Sequence, residues 1–194
     1  AVVHFLNHSH GRRGNANHQV SRQTDSTNRW NPFPLDQRNQ VFRNLADGKF
    51  DDVTDRAGAV FTLSDVSLGA AFGDIDNDGH TDVLIANVAG RTRLLGNDTG
   101  NQHHWLGLRL VGGETQRDML DARVAFVQSD GSTLRRRARA DGSYASANDL
   151  RVFVGLAESA TVLLVRVTWP DGRVEEWADL AVDQYWTLTQ GGGQ

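Results

Sequence analysis

Asp74, Ile75, Asp76, Asn77, Asp78, Gly79, His80, Thr81 and Asp82 set four carboxylates at positions one, three, five and nine of one loop. Gly79 stands at position six, where the backbone must turn sharply. A hard cation such as calcium takes about six to eight oxygen ligands. The side chains of Asp74, Asp76, Asp78 and Asp82 can supply most of them, with the carbonyl of His80 at position seven as a backbone ligand. Without a cation, this much negative charge in one turn repels itself. The spacing therefore points to bound calcium rather than a metal-free acidic turn. An EF-hand does not fit, because its twelfth position needs a bidentate glutamate and Ile85 stands there. The flanks also differ from paired helices. Leu68–Gly73 and Val83–Ala86 are short, apolar and bounded by glycine or polar residues, so they read as strands of a hairpin that the metal would clamp.

Other reactive side chains make weaker patterns. His4, His8, His10 and His18 could ligate zinc or copper, but no spacing matches a defined site, and a solvated polar arm is the better reading. His103 and His104 are adjacent and would face opposite sides of a strand. Arg135, Arg136, Arg137 and Arg139 could grip an anionic polysaccharide or phosphate. The net negative charge favours a solvated strand whose arginines offset acidic neighbours. Four tryptophans (Trp105, Trp169, Trp177 and Trp186) lie in strand-like segments and read as packing residues. Trp30 lies in a polar stretch and is the candidate ligand contact. Asp51-Asp52 and Glu175-Glu176 diverge on strands. No Gly-x-Ser-x-Gly elbow, His-Glu-x-x-His or phosphate loop is present, so no enzyme activity is expected.

The chain has 194 residues, a formal charge of −4, 20 glycines and no cysteine. The charge gives no electrostatic case for nucleic acid. No apolar run has the length a bilayer requires. With no disulfides, a metal clamp is the available cross-link. Asn7-His8-Ser9 and Asn97-Asp98-Thr99 are sequons, which makes Asn7 and Asn97 glycosylation candidates. Millimolar calcium outside cells would fill a low-affinity site, so an extracellular or cell-surface setting is expected. No signal peptide is visible at Ala1.

The expected fold is all-β. Residues 1–40 read as an N-terminal strand (Ala1–Leu6) followed by an extended polar arm. Residues 41–101 form a propeller-blade-like repeat around the calcium hairpin, with a turn at Asp47-Gly48. Residues 102–194 form an antiparallel β-sandwich or barrel. Its strands are Trp105–Val111, Ala122–Gln128, Thr133–Ala140, Leu150–Val154, Val162–Trp169, Val174–Trp177 and Tyr185–Thr189, at the spacing of such folds. Asp130-Gly131 and Asp171-Gly172 fit tight hairpin turns, and Asp141-Gly142 reads as a third. A faint internal repeat matches Ala1–Asn7 to Thr81–Asn87 and Val41–Asn44 to Leu94–Asn97. The first copy has no acidic loop, so the chain is expected to begin partway through a repeat.

These residues carry a resemblance to two linked families. Val41–Asn97 resembles an FG-GAP or VCBS-type repeat through Phe42-Arg43-Asn44, Asp47-Gly48-Lys49-Phe50, Gly69–Gly73, the acidic loop and Arg93-Leu94-Leu95. From His104 onward the chain is similar to the ASPIC/UnbV domain of cartilage-acidic-protein-like chains. The marks there are Arg117-Asp118, Ala122-Arg123-Val124, Gly142-Ser143-Tyr144, Gly155-Leu156 and Trp169–Gly172. Asp121 and Ala157 replace glycines of that pattern, and Val154 replaces an aromatic. The resemblance implies an extracellular, calcium-stabilised β module with Asp74, Asp76, Asp78 and Asp82 as ligands. Such repeats often build propellers that mediate adhesion. One repeat cannot close a propeller of at least four blades. The strand with Val2, Val3, Phe5 and Leu6 is therefore expected to pair with a neighbouring copy, head to tail, into a filament. The alternatives are a module that binds a glycan or an extracellular protein, and an accessory domain of a larger enzyme.

Overall fold

The computed structural model describes residues 3–6, 37–45, 47–98 and 103–194, with the side chains of residues 3–6 left aside. Asn7, Trp30, Val2 and the histidines at 8, 10 and 18 lie outside the described residues. The chain divides into two compact units, residues 1–69 with 85–93, and residues 70–84 with 94–194.

In the first unit, β1 (Val3–Leu6), β2 (Gln37–Arg38), β3 (Gln40–Asn44) and β4 (Phe50–Asp52) precede two short 3-10 turns and β5 (Ser64–Asp65). β1, β3 and β4 form one antiparallel sheet, and β2 pairs with β5. Within its own chain β1 has β3 as its neighbour. Val3 lies opposite Arg43, Phe5 opposite Val41 and Leu6 opposite Gln40. Backbone N–H and C=O groups need partners. The entropy of closing a long connection grows only slowly with its length, so a strand in the same chain can meet that need. At Asp47-Gly48, Gly48 takes φ +82° and the Asp47 carboxylate accepts the Lys49 amide at 3.1 Å.

β6 (Ser67–Gly73), β7 (Asp82–Asn87) and β8 (Arg93–Leu95) form a sheet in that order, so the acidic loop closes a hairpin as its flanks required. The division between the units runs through these three strands. Among the described residues this sheet has three strands, one fewer than a four-stranded propeller blade. β7 lies beside β8 as β1 lies beside β3, in line with the faint internal repeat.

The second unit continues with β9 (His104–Val111), β10 (Arg123–Gln128), β11 (Thr133–Arg137), β12 (Val152–Ala157), β13 (Val162–Thr168), β14 (Val174–Ala178) and β15 (Gln184–Thr189). One sheet has the order β11-β10-β13-β14 and the other β12-β9-β15, and neither closes into a barrel. Both contribute to one core. Leu106, Leu108, Val154 and Leu188 from one sheet join Val124, Phe126, Val165 and Val167 from the other, all buried. Each such side chain contributes about 1.5–3 kcal/mol on leaving water. The sandwich is not wholly antiparallel, because β15 runs parallel to β9. A parallel pair needs a long crossover, and the whole stretch from β10 to β14 serves as one.

Asp130-Gly131 and Asp171-Gly172 make the expected turns, with Gly131 at φ +81° and Gly172 at φ +88°. Each aspartate accepts the amide two residues on, at 2.8 Å for Ser132 and 3.0 Å for Arg173. Asp141-Gly142 does not form a third hairpin of this kind. A bridge from Asp141 to Ala147 closes a wider loop there, and Asn148 donates to the Asp141 carbonyl at 3.1 Å. Asp121 (φ +74°) and Ala157 (φ +52°), which stand where the family pattern has glycine, both adopt the left-handed backbone. Ala157 sits at the irregularity in the β12–β9 ladder.

Candidate metal-binding loop

The loop from Asp74 to Asp82 is shaped by its own carboxylates. Asp74 is buried, and its two oxygens accept the amides of Asp78 at 3.2 Å and Gly79 at 2.9 Å. The Asp78 carboxylate accepts the His80 amide at 2.8 Å and meets the His80 ring Nδ1 at 2.9 Å. The hydrogen bond with the His80 ring lowers the Asp78 pKa. Asn77 and Gly79 take φ of +62° and +88°, which folds the backbone back on itself.

One carboxylate oxygen each from Asp74, Asp76 and Asp78 lies within 4.8 Å of the others. Ligands on opposite sides of a calcium ion, each about 2.3–2.6 Å away, stand about 5 Å apart. The trio therefore fits a cation of that size. Asp82 is buried but is not brought into the trio. Its oxygens accept the amides of Ile75 and Asn97, both at 2.9 Å, so it ties the loop's start to the segment after β8. A carboxylate has about four lone-pair sites, so two amides leave room for a further contact. The Asn97 side chain reaches the Thr81 carbonyl at 3.5 Å.

Residues distant in sequence hold this loop, and no local spacing points to them. Tyr185 on β15 donates its hydroxyl to Asp74 Oδ2 at 2.6 Å. Burial, and then the bond to Asp74, raises the tyrosine pKa, so the phenol keeps its proton and remains a donor. Tyr185 lies opposite Gly107 on β9, and a side chain at Gly107 would run into its ring. Arg151 lies 4.0 Å over that ring. It donates to the Asp74 carbonyl at 2.7 Å, to Asn77 Oδ1 at 2.5 Å and to Asp149 Oδ2 at 2.7 Å. The bond to Asp149 raises the Arg151 pKa. Trp105 lies 4.9 Å from the Tyr185 ring and 5.7 Å from that of Phe153, and Gly79 abuts its indole. At the base of the hairpin, Asn148 accepts the Phe72 amide at 3.0 Å, and the Asp149 amide donates to the Phe72 carbonyl at 2.8 Å.

A cavity of about 190 Å³ beside the loop is lined by Asp74, Thr81, Arg139, Asp149, Arg151 and Tyr185 among others. It is smaller than the roughly 300–1,000 Å³ of pockets that enclose organic ligands. The paired carboxylates elsewhere are engaged separately. Glu175 is buried and accepts the amides of Gly191 and Gly193, while Glu176 pairs with Arg166 at 2.6 Å. Asp51 pairs with Arg56, and Asp52 accepts from Thr54. Trp169 is buried in the core, and Trp177 and Trp186 pack against it.

Residues 24–85 match the family model described as FG-GAP-like repeat, and this stretch contains the acidic loop. Residues 112–194 match the model described as ASPIC and UnbV, and this stretch contains Arg151 and Tyr185. A comparison with the curated proteins gives no match. The chain therefore carries an FG-GAP-like repeat followed by an ASPIC/UnbV domain.

Proposed function

We propose that this chain is a non-enzymatic, calcium-stabilised extracellular module with a structural or adhesive role. The observation that carries the reading is the convergence of Asp74, Asp76 and Asp78 in a hairpin loop that the sandwich side chains also grip. Asp74, Asp76 and Asp78 would hold the cation, with Asp82 and the His80 carbonyl near enough in sequence to complete its shell. The cation supplies a double positive charge that neutralises the loop and cross-links it, in a chain with no cysteine. Tyr185 and Arg151 restrain Asp74 and Asn77 through these hydrogen bonds. A loop whose cost of ordering is already met binds its ion more tightly. Millimolar extracellular calcium suits such a site.

One observation supports a non-catalytic role. The carboxylate pairs are taken up by backbone amides or arginines. His104 pairs with Asp183 at 2.7 Å. Among the described residues no helix is long and apolar enough to cross a membrane. Strand exchange between copies is not needed by this reading, since Val3–Leu6 pairs within the chain.

The test is calorimetric titration with calcium, alongside thermal unfolding with and without chelator. Calcium at about a hundred times its dissociation constant should add about 2.7 kcal/mol, and Asp76→Ala should abolish that increment. An unfolding curve indifferent to both calcium and chelator would sink the assignment.

A further inference from the structure

The outer face of the β11-β10-β13-β14 sheet gathers arginines from three strands. Register places Arg137 beside Arg123, and Arg135 beside Ala125, which in turn lies beside Arg166. Val124, Phe126, Val165 and Val167 alternate with these residues and face the core, so the arginines share the opposite face. Together Arg123, Arg135, Arg137 and Arg166 border a trough of about 530 Å³ whose floor is the small side chain of Ala125.

The acidic residues do not cancel this charge. Arg137 pairs with Asp121 at 2.5 Å and Arg166 with Glu176 at 2.6 Å. Both pairs are largely exposed, and exposed pairs are worth little and exchange readily. Arg123 and Arg135 have no carboxylate within ion-pair distance among the described residues. The face therefore keeps a net positive charge within a chain of formal charge −4.

We infer that this face binds a linear sulfated polysaccharide. Neighbouring strands stand about 4.8 Å apart and alternate residues about 6.8 Å apart along a strand. Four guanidiniums rooted on that grid suit repeated anionic groups along an extended chain better than one small anion. Guanidinium is planar, always charged and weakly hydrated, and its fork binds oxyanions through two parallel hydrogen bonds. Thr168, opposite Arg123, adds a hydroxyl that can meet sugar oxygens. The outward positions of the four strands carry no aromatic side chain on which bases would stack, which disfavours single-stranded nucleic acid. A trough with a small-residue floor suits a narrow chain better than a lipid surface.

The experiment is binding of the full chain to immobilised heparin at about 0.15 M salt. Desulfated heparin, single-stranded DNA and phosphatidylserine vesicles serve as the other arms. Arg123→Gln with Arg135→Gln is the test variant, and Arg91→Gln with Arg117→Gln is the charge-matched control. Heparin should bind, and affinity should fall about tenfold for each trough guanidinium removed, with the control unchanged. All four substituted side chains are exposed, so melting temperatures should match the parent. No retention on heparin, equal loss in the control, equal binding of desulfated heparin, or tighter binding of DNA or vesicles would each overturn the proposal.

Discussion

Substituting alanine at Gly79 tests whether the acidic loop is packed against the sandwich. Gly79 has φ +88°, and an added Cβ would collide with Nε1, Cδ1 and Cε2 of Trp105. The indole cannot easily yield, because Trp105 is only 8% exposed and has Phe153 and Tyr185 against it. Gly131 provides the control. It also follows an aspartate in a turn and has φ +81°, but nothing lies within 4 Å of its added Cβ. Both substitutions incur the left-handed backbone cost of about 1–2 kcal/mol. Only Gly79→Ala adds an overpacking cost, about 1–3 kcal/mol in a closely packed site. The difference between the variants therefore isolates the contact. For a chain of this length it corresponds to roughly 2–4 °C in Tm per kcal/mol. Urea unfolding followed by tryptophan fluorescence, with chelator throughout, measures it without a contribution from the metal. Variants that agree within about 0.5 kcal/mol would show that the loop does not bear on Trp105, and the site geometry described above would be wrong.

Tyr185→Phe removes the hydroxyl bonded to Asp74 and leaves the ring in place. A hydrogen bond to a charged group is worth about 1.5–3 kcal/mol, so stability in chelator should fall by that amount, and an unchanged urea midpoint would refute the contact. Ala157→Gly relieves a left-handed alanine at φ +52°. After the extra chain entropy of glycine, the net gain should be about 0.5–1 kcal/mol, and a loss in the same assay would show that the bulge has another geometry. Acid should weaken the fold through Asp118, Asp130 and Asp171. Arg109, Ser132 and the Arg173 amide respectively lead in holding their pKa values below the ordinary carboxylate value. Their folded values lie below their unfolded ones. The stabilisation is thus whole above the unfolded value of about 3.9 and is lost as pH falls through the folded values. Melting curves should change little between about pH 5 and 7 and shift downward below about pH 4. Asp118→Asn should flatten part of that fall, and an equally steep fall in the variant would refute the Asp118 contribution.

Much of the strand pattern was legible because it is local. In Arg123–Val127 the buried Val124 and Phe126 alternate with more accessible positions, and the Asp-Gly turns at residues 130 and 171 carry their conformation in two residues. Asp141-Gly142 has the same dipeptide but a different structure, since a bridge to Ala147 and the Asn148 side chain decide its path. The family pattern marked Asp121 and Ala157 as departures from glycine. Aspartate tolerates the left-handed backbone, but at Ala157 the surrounding structure imposes it on a residue that does not favour it.

The sequence by itself determined the acidic loop, since four carboxylates and a glycine at fixed spacing dictate a turn rich in oxygen ligands. It also determined the all-β class, which follows from short apolar runs between turn residues. Only the tertiary structure decided which carboxylates converge. It grouped Asp74, Asp76 and Asp78 and assigned the Asp82 oxygens to two backbone amides. It alone brought Tyr185 and Arg151 onto the loop, and it alone set Arg123 beside Arg137 and flanked Ala125 with Arg135 and Arg166. The physical reason is the same throughout. Spacing along the chain fixes what one turn or strand can present, whereas strand pairing and sheet packing fix which presentations meet.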